Sequence, residues 1–228
     1  LIEKSIVIYN DEKERFLILE TIRQYAYDKI KETGEYEKFS DKHLKFYLGL
    51  AETKSKKLRG IESESNIKIF ENEIGNLEKA LKWSVENPAN ENGLRLSSAI
   101  FMFWQIRGYI TEGIHWLETI LETNTETNSP LYCSVICKLG NYKRLKGDVD
   151  KARDLIVESL KIRRELGDKS GTAESLIRLG ILEYDQGRFD ESAVLYEESL
   201  AIYRELGNKS SIAIVLNNLA NVFSNQGN

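Results

Sequence analysis

Cysteine and histidine, the residues that most often attack a bond or hold a transition metal, number only two each in this chain. The only cysteines, Cys133 and Cys137, stand four apart, a spacing that puts two thiols on one helix face. A zinc site wants four ligands, and the only histidines, His43 and His115, lie far from that pair. Buried, reduced thiols are therefore expected, and no metal. Neither histidine has a serine or cysteine at a spacing that suggests an activated nucleophile, so no catalytic residue is assigned. The carboxylates scatter at helix-surface spacing, where Glu20 with Gln24 and Glu158 with Lys161 would find partners three or four residues on. No glycine-rich run precedes Lys-Ser or Lys-Thr, so no phosphate-binding loop is present and no cofactor is expected in this stretch.

The elements that must carry these residues are mostly helical. The 228 residues contain only Pro88 and Pro130, which suits long helices because proline removes an amide donor and clashes inside them. Hydrophobic residues make up 41% and charged residues 30%, with a net charge of −4. No global field draws such a chain to nucleic acid. Basic clusters such as "YKRLKG" read as solvated helix faces, and Trp83, Trp104 and Trp116 fall on helical stripes that fill a core. No apolar run reaches the roughly 18 residues of a membrane span, and cysteine usage suggests a cytoplasmic setting. The chain opens without Met and stops in mid-pattern at "SNQGN", as expected of a piece of a longer protein.

A forty-residue repeat organises the second half. "RELGDKS" at 164–170 returns as "RELGNKS" at 204–210, and Gly147, Gly187 and Gly227 bring whole neighbourhoods into register. A divergent copy, "SAIFMFWQIRGYITEGIHWLETIL", puts Gly108 in the same place. Each unit carries two amphipathic helices. Small residues recur where paired helices should cross closely: Gly140, Gly180 and Ala220 in the first helix, and Ala152 and Ser192 in the second, then Ser159 and Ser199. Gly147, Gly187, Gly167 and Gly207 are expected to end helices in the left-handed region, with Asp168 and Asn208 capping the next ones.

This pattern of small, large and glycine columns resembles the tetratricopeptide repeat family in a longer variant, over roughly residues 91–228. The divergent copy departs from it, with Phe101 in the glycine column and Gly113 in place of Ala152 or Ser192. The resemblance implies a right-handed superhelical solenoid whose first helices line a concave face. Inward positions then include Gln105, Asn141, Arg144, Tyr184, Asn217 and Asn221, together with Cys137, Ile177 and Ser224. In that family asparagines in such columns pair with a ligand's backbone and basic residues receive carboxylates. Asn141 and Asn221 share a column, and Ile181 interrupts it. A protein or peptide partner in the groove is the expectation.

Residues 1–33 follow another grammar. "SIVIYN" and "RFLIL", separated by "DEKE", read as a β-hairpin, and a helix follows that ends near Gly34. "LIEKSIV…RFLILETIRQYAYDKI" resembles the close of the winged-helix domain in bacterial STAND regulators of NB-ARC type, and "FENEIGNLEKALKWSVEN" resembles their helical linker. Residues 34–90 would be that linker, with three or four helices and Ser40 as an N-cap. The resemblance implies a nucleotide-binding domain upstream of residue 1. Ile18, Leu19 and Glu20 match that family's Met-His-Asp signature, but Leu19 offers no polar contact to a phosphate. The expected whole is a mostly α chain with a small N-terminal hairpin, acting as the non-catalytic sensing arm of a signalling ATPase or transcriptional regulator. A structural or oligomerisation scaffold is the alternative.

Overall fold

The computed structural model describes residues 7–10, 15–60, 62–88 and 91–226. The "DEKE" stretch, the whole of "LIEKSI" and Gly227 lie outside them. Strands β1 (Val7–Asn10) and β2 (Arg15–Ile18) pair antiparallel, Val7 opposite Ile18. Helix α1 (Glu20–Glu32) follows, and Gly34, at φ 71°, turns the chain after it. None of the side chains of α1 is buried. Within it Glu20 pairs with Arg23 rather than Gln24, and Gln24 bonds Asp28 instead.

Two long helices fill the next stretch where three or four were expected: α2 (Tyr36–Ser55) and α3 (Ser63–Glu86). Ser40 lies inside α2, whose N-cap is Glu35. Gly75 stays helical inside α3, with nothing near its open side. Burial explains why one helix persists, since Ile67, Phe70, Leu77, Ala80 and Leu81 make one continuous apolar stripe. Pro88 follows the end of α3.

Helix pairs then stack at about forty-residue intervals: α4 (Asn92–Arg107) with α5 (Ile110–Thr123), α6 (Pro130–Leu145) with α7 (Val149–Glu165), and α8 (Lys169–Asp185) with α9 (Phe189–Glu205). Helix α10 (Lys209–Gln226) closes the described array. Gly108, Gly147, Gly167, Gly187 and Gly207 all have φ between 66° and 83°. Asp168 Oδ1 accepts from Gly171 N at 2.9 Å and Asn208 Oδ1 from Ser211 N at 3.1 Å, so "RELGDKS" is a helix stop, a turn and a capped start.

The small columns mark close crossings. A Cβ on Gly140 would lie 2.9 Å from Ile156 and 3.2 Å from the Ala152 carbonyl; one on Gly180 would lie 2.6 Å from the Tyr196 ring. The serines contribute more than small size. Ser159 Oγ donates to Cys133 O at 3.0 Å, Ser199 Oγ to Ala173 O at 2.9 Å and Ser192 Oγ to Gly180 O at 2.8 Å, so each ties the second helix to the backbone of the first. In the divergent unit the bulk is relocated. Phe101 stacks on Tyr142 at 4.5 Å, and Gly113 makes room for that same tyrosine, where a Cβ would meet its ring at 2.5 Å.

Trp83 and Trp104 are buried in the core and Trp116 is half-buried against it. On α10 the columns that α7 and α9 cover elsewhere lie open: Leu216 is 45% exposed, whereas Leu176 and Ile136 are 0% and 1%.

Candidate partner-binding face

The first helices of the units, α4, α6 and α8, pack directly on one another, while the second helices pack mainly against first helices. A stack of pairs curves toward the layer whose helices approach each other, which makes α4, α6, α8 and α10 the inner layer. Polar links between neighbouring first helices run along it. Lys138 Nζ donates to Ser98 on α4 at 2.5 Å and to Ser134 at 2.7 Å. Arg144 pairs with Asp185 on α8, and Asn225 Nδ2 donates to the Tyr184 hydroxyl across α10 and α8 at 2.6 Å.

The six candidate residues divide into three groups. Asn141 is only 2% exposed; its Oδ1 accepts a long 3.5 Å bond from Arg144 Nη2, and its Nδ2 has no partner among the described residues. Arg144 Nε also lacks one. An unpaired buried donor costs about 1–3 kcal/mol, so both groups favour any acceptor brought to this turn of α6. Tyr184 is half-buried, edge-on to Phe189 at 5.4 Å. Gln105, Asn217 and Asn221 are exposed. Asn141 and Asn221 therefore share a sequence column but not an environment, because α8 covers the first and nothing described follows α10 to cover the second.

Several inner-layer groups escaped the sequence reading. Lys138 and Arg178 stand forty apart in one column, as do Ser134 and Glu174, and that recurrence of polar residues was the available signal. Burial pulls the Lys138 amine below its ordinary value, with Glu174 acting in the opposite sense. Burial opposes ionisation of Glu174, yet Arg163, Lys138 and Arg178 together hold its carboxyl below the usual range. Arg163 is 2% exposed and donates to Gly171 O at 2.7 Å, Ser175 Oγ at 3.0 Å and Glu174 at 3.1 Å. Glu183 sits between Arg153 and Arg188; burial opposes its charge and the two guanidiniums outweigh that effect. The "YKRLKG" cluster is likewise paired across helices, Lys143 with Glu118 at 2.7 Å and Arg144 with Asp185.

Cys133 and Cys137 are buried free thiols, and burial raises both above the ordinary thiol value. Neutral thiols are poor nucleophiles and poor ligands. Among the described residues no group of three His, Cys, Asp or Glu side chains could hold a metal, and no helix is long and apolar enough to cross a membrane. The inner layer can offer hydrogen-bond donors and paired charges to an extended chain.

Comparison with known proteins agrees with this architecture. The tetratricopeptide repeat family model matches residues 130–205 and 171–228, so this part of the chain is built of tetratricopeptide repeats. A stretch of 124 residues is 32% identical to a Mycobacterium tuberculosis protein named an HTH-type transcriptional regulator, with the same match in Mycobacterium bovis. It takes in 54% of this chain and only 14% of the relative's length. Among solved structures, BtubC from P. vanneervenii superposes with a TM-score of 0.60 at 16% identity, covering 81% of this chain and 84% of that one. The STAND protein with a tetratricopeptide repeat sensor from Pyrococcus horikoshii superposes with a TM-score of 0.53 at 16% identity, covering 99% of this chain and 42% of the other. At these identities the structural likeness concerns the fold alone.

Proposed function

We propose that this chain is a non-catalytic sensing arm whose inner face receives a protein or peptide segment. The observation that carries it is the turn of α6 where Asn141 Nδ2 and Arg144 Nε, both without partners among the described residues, adjoin the Arg144–Asp185 pair on the inner layer. A polypeptide supplies what such a turn can use: backbone carbonyls for the donors and acidic groups that compete with Asp185 for Arg144. In the wider reading the arm belongs to a STAND-type signalling ATPase or transcriptional regulator, with residues 1–33 closing a winged helix and a nucleotide-binding domain elsewhere in the protein. Support comes from the superposition on part of a STAND protein with a repeat sensor and from the similarity to a segment of mycobacterial regulators. The arm would then shift a switch only by binding one state of the whole protein better than the other.

The test is selection of binders from a random-peptide display library on this chain, followed by calorimetry with N141A and R144A. An enriched peptide should lose about tenfold or more in each variant, the equivalent of about 1.4 kcal/mol. Peptides that bind both variants as well as the parent would place the site elsewhere. The scaffold reading is favoured by one observation, the open apolar columns of Leu216, Ala220 and Phe223 on α10. Sedimentation velocity over a hundredfold concentration range separates the two, since self-association through α10 should vanish in L216E/F223E while peptide binding persists.

A further inference from the structure

Away from the inner layer, α1, α2 and α3 line an open cleft of about 620 Å³, a size typical of sites for small organic molecules. Its floor is aromatic. Tyr36 stands edge-on to Tyr27, 5.4 Å between ring centres, and to Trp83 at 5.5 Å. Trp83 is fixed from behind, its Nε1 donating to Asp41 Oδ1 at 2.9 Å. The walls are cationic: α1 contributes Arg23 and Lys31, α3 contributes Lys79 and Lys82, and Glu86 is the one carboxylate among the described lining residues.

That concentration of positive charge runs against the sign of the whole molecule, whose net charge is −4. Little within the cleft neutralises it. Glu20, outside the lining, engages Arg23, and Glu86 reaches Lys82 only at 4.0 Å. Lys31 instead lies over two rings, 4.5 Å from the centre of Tyr27 and 5.4 Å from that of Tyr36. An anion entering among these cations gains attraction from each of them, and a partly exposed ring such as Tyr27 gains by packing against a further flat ring. Helix α1, burying none of its own side chains, has contacts to gain from a ligand that bridges it to α3.

We propose that this cleft binds a small organic anion with a flat aromatic body, its ring against Tyr36 and Trp83 and its charged group between the lysines of α3 and the cations of α1. The volume of the cleft suits one such molecule and not a folded partner or a duplex. The site is separate from the peptide-binding face and stands or falls independently of it.

Calorimetric titration with naphthalene-2-sulfonate tests the proposal, using the parent chain, K79Q/K82Q, and K161Q on α7 as a charge control. Lys79, Lys82 and Lys161 are all exposed, and thermal melting followed by circular dichroism checks that each variant folds. One site is expected, weakened fivefold or more in K79Q/K82Q, unchanged in K161Q, and weakened by added salt. The neutral analogue 2-naphthylmethanol should bind at least fivefold more weakly, and amide exchange across residues 20–32 should slow when the sulfonate is bound. Failure of the sulfonate to bind, equal binding in K79Q/K82Q, or equal binding of the neutral analogue or of inorganic sulfate would overturn the proposal. Should K79Q/K82Q not fold, unslowed exchange in α1 of the parent chain overturns it alone.

Discussion

The most exacting test of the packing is a two-residue cycle at Gly180 and Tyr196. A methyl at position 180 would lie 2.6, 2.9 and 3.1 Å from three atoms of the Tyr196 ring. That ring is buried and held in the same crossing where Ser192 bonds the Gly180 carbonyl at 2.8 Å. Overpacking of this kind costs about 1–3 kcal/mol. Alanine in a helix interior regains about 1 kcal/mol over glycine, so Gly180→Ala should destabilise by about 0–2 kcal/mol net. In a Tyr196→Leu background the clash is gone and the same substitution should become stabilising by about 1 kcal/mol. The coupling between the two sites is then about 1–3 kcal/mol. Urea unfolding at matched slopes measures it, and Gly180→Leu, too large for any local adjustment, should lower Tm by several degrees. A coupling within about 0.5 kcal/mol of zero would refute the idea that the glycine column exists to admit the facing side chain.

Other consequences follow from the same contacts. Leu176→Ala removes a fully buried side chain and should cost about 2–5 kcal/mol, whereas Leu216→Ala, in the same column but 45% exposed, should cost under about 1 kcal/mol in urea unfolding. Arg163→Ala leaves the Gly171 carbonyl and Ser175 without their buried donor, and denaturation should show a loss of about 3 kcal/mol. The Glu183 carboxyl ionises below its ordinary value of 4.5 in the folded chain. Its contribution is thus present above pH 4.5 and lost as pH falls through the lower folded value; Glu183→Gln should flatten that part of the acid limb in a melting series. At the other extreme, burial pushes the Tyr196 phenol up to about 12. Its contribution is intact below about pH 10 and declines toward 12, so Tyr196→Phe should soften base unfolding.

Sequence periodicity alone determined the helix pairs, their forty-residue spacing and the turn chemistry between them. These are local properties: a glycine at positive φ and an Asp or Asn cap act within a few residues, and the small columns recur because the same crossing recurs. The sequence offers no obvious catalytic constellation either, because cysteine and histidine are few and the many carboxylates lie scattered along the chain. What only the tertiary structure decided was which copies of a repeated residue face the same surroundings. Asn141 and Asn221 occupy one column, yet one is buried and the other exposed, since exposure depends on neighbours about forty residues distant rather than on register. The same holds for Phe101, tolerated in a glycine column because Gly113 and Tyr142 rearrange around it. The cleft between α1 and α3 was illegible for a like reason: its cations are about fifty residues apart, and only the folding of α2 between them brings their charges to one place.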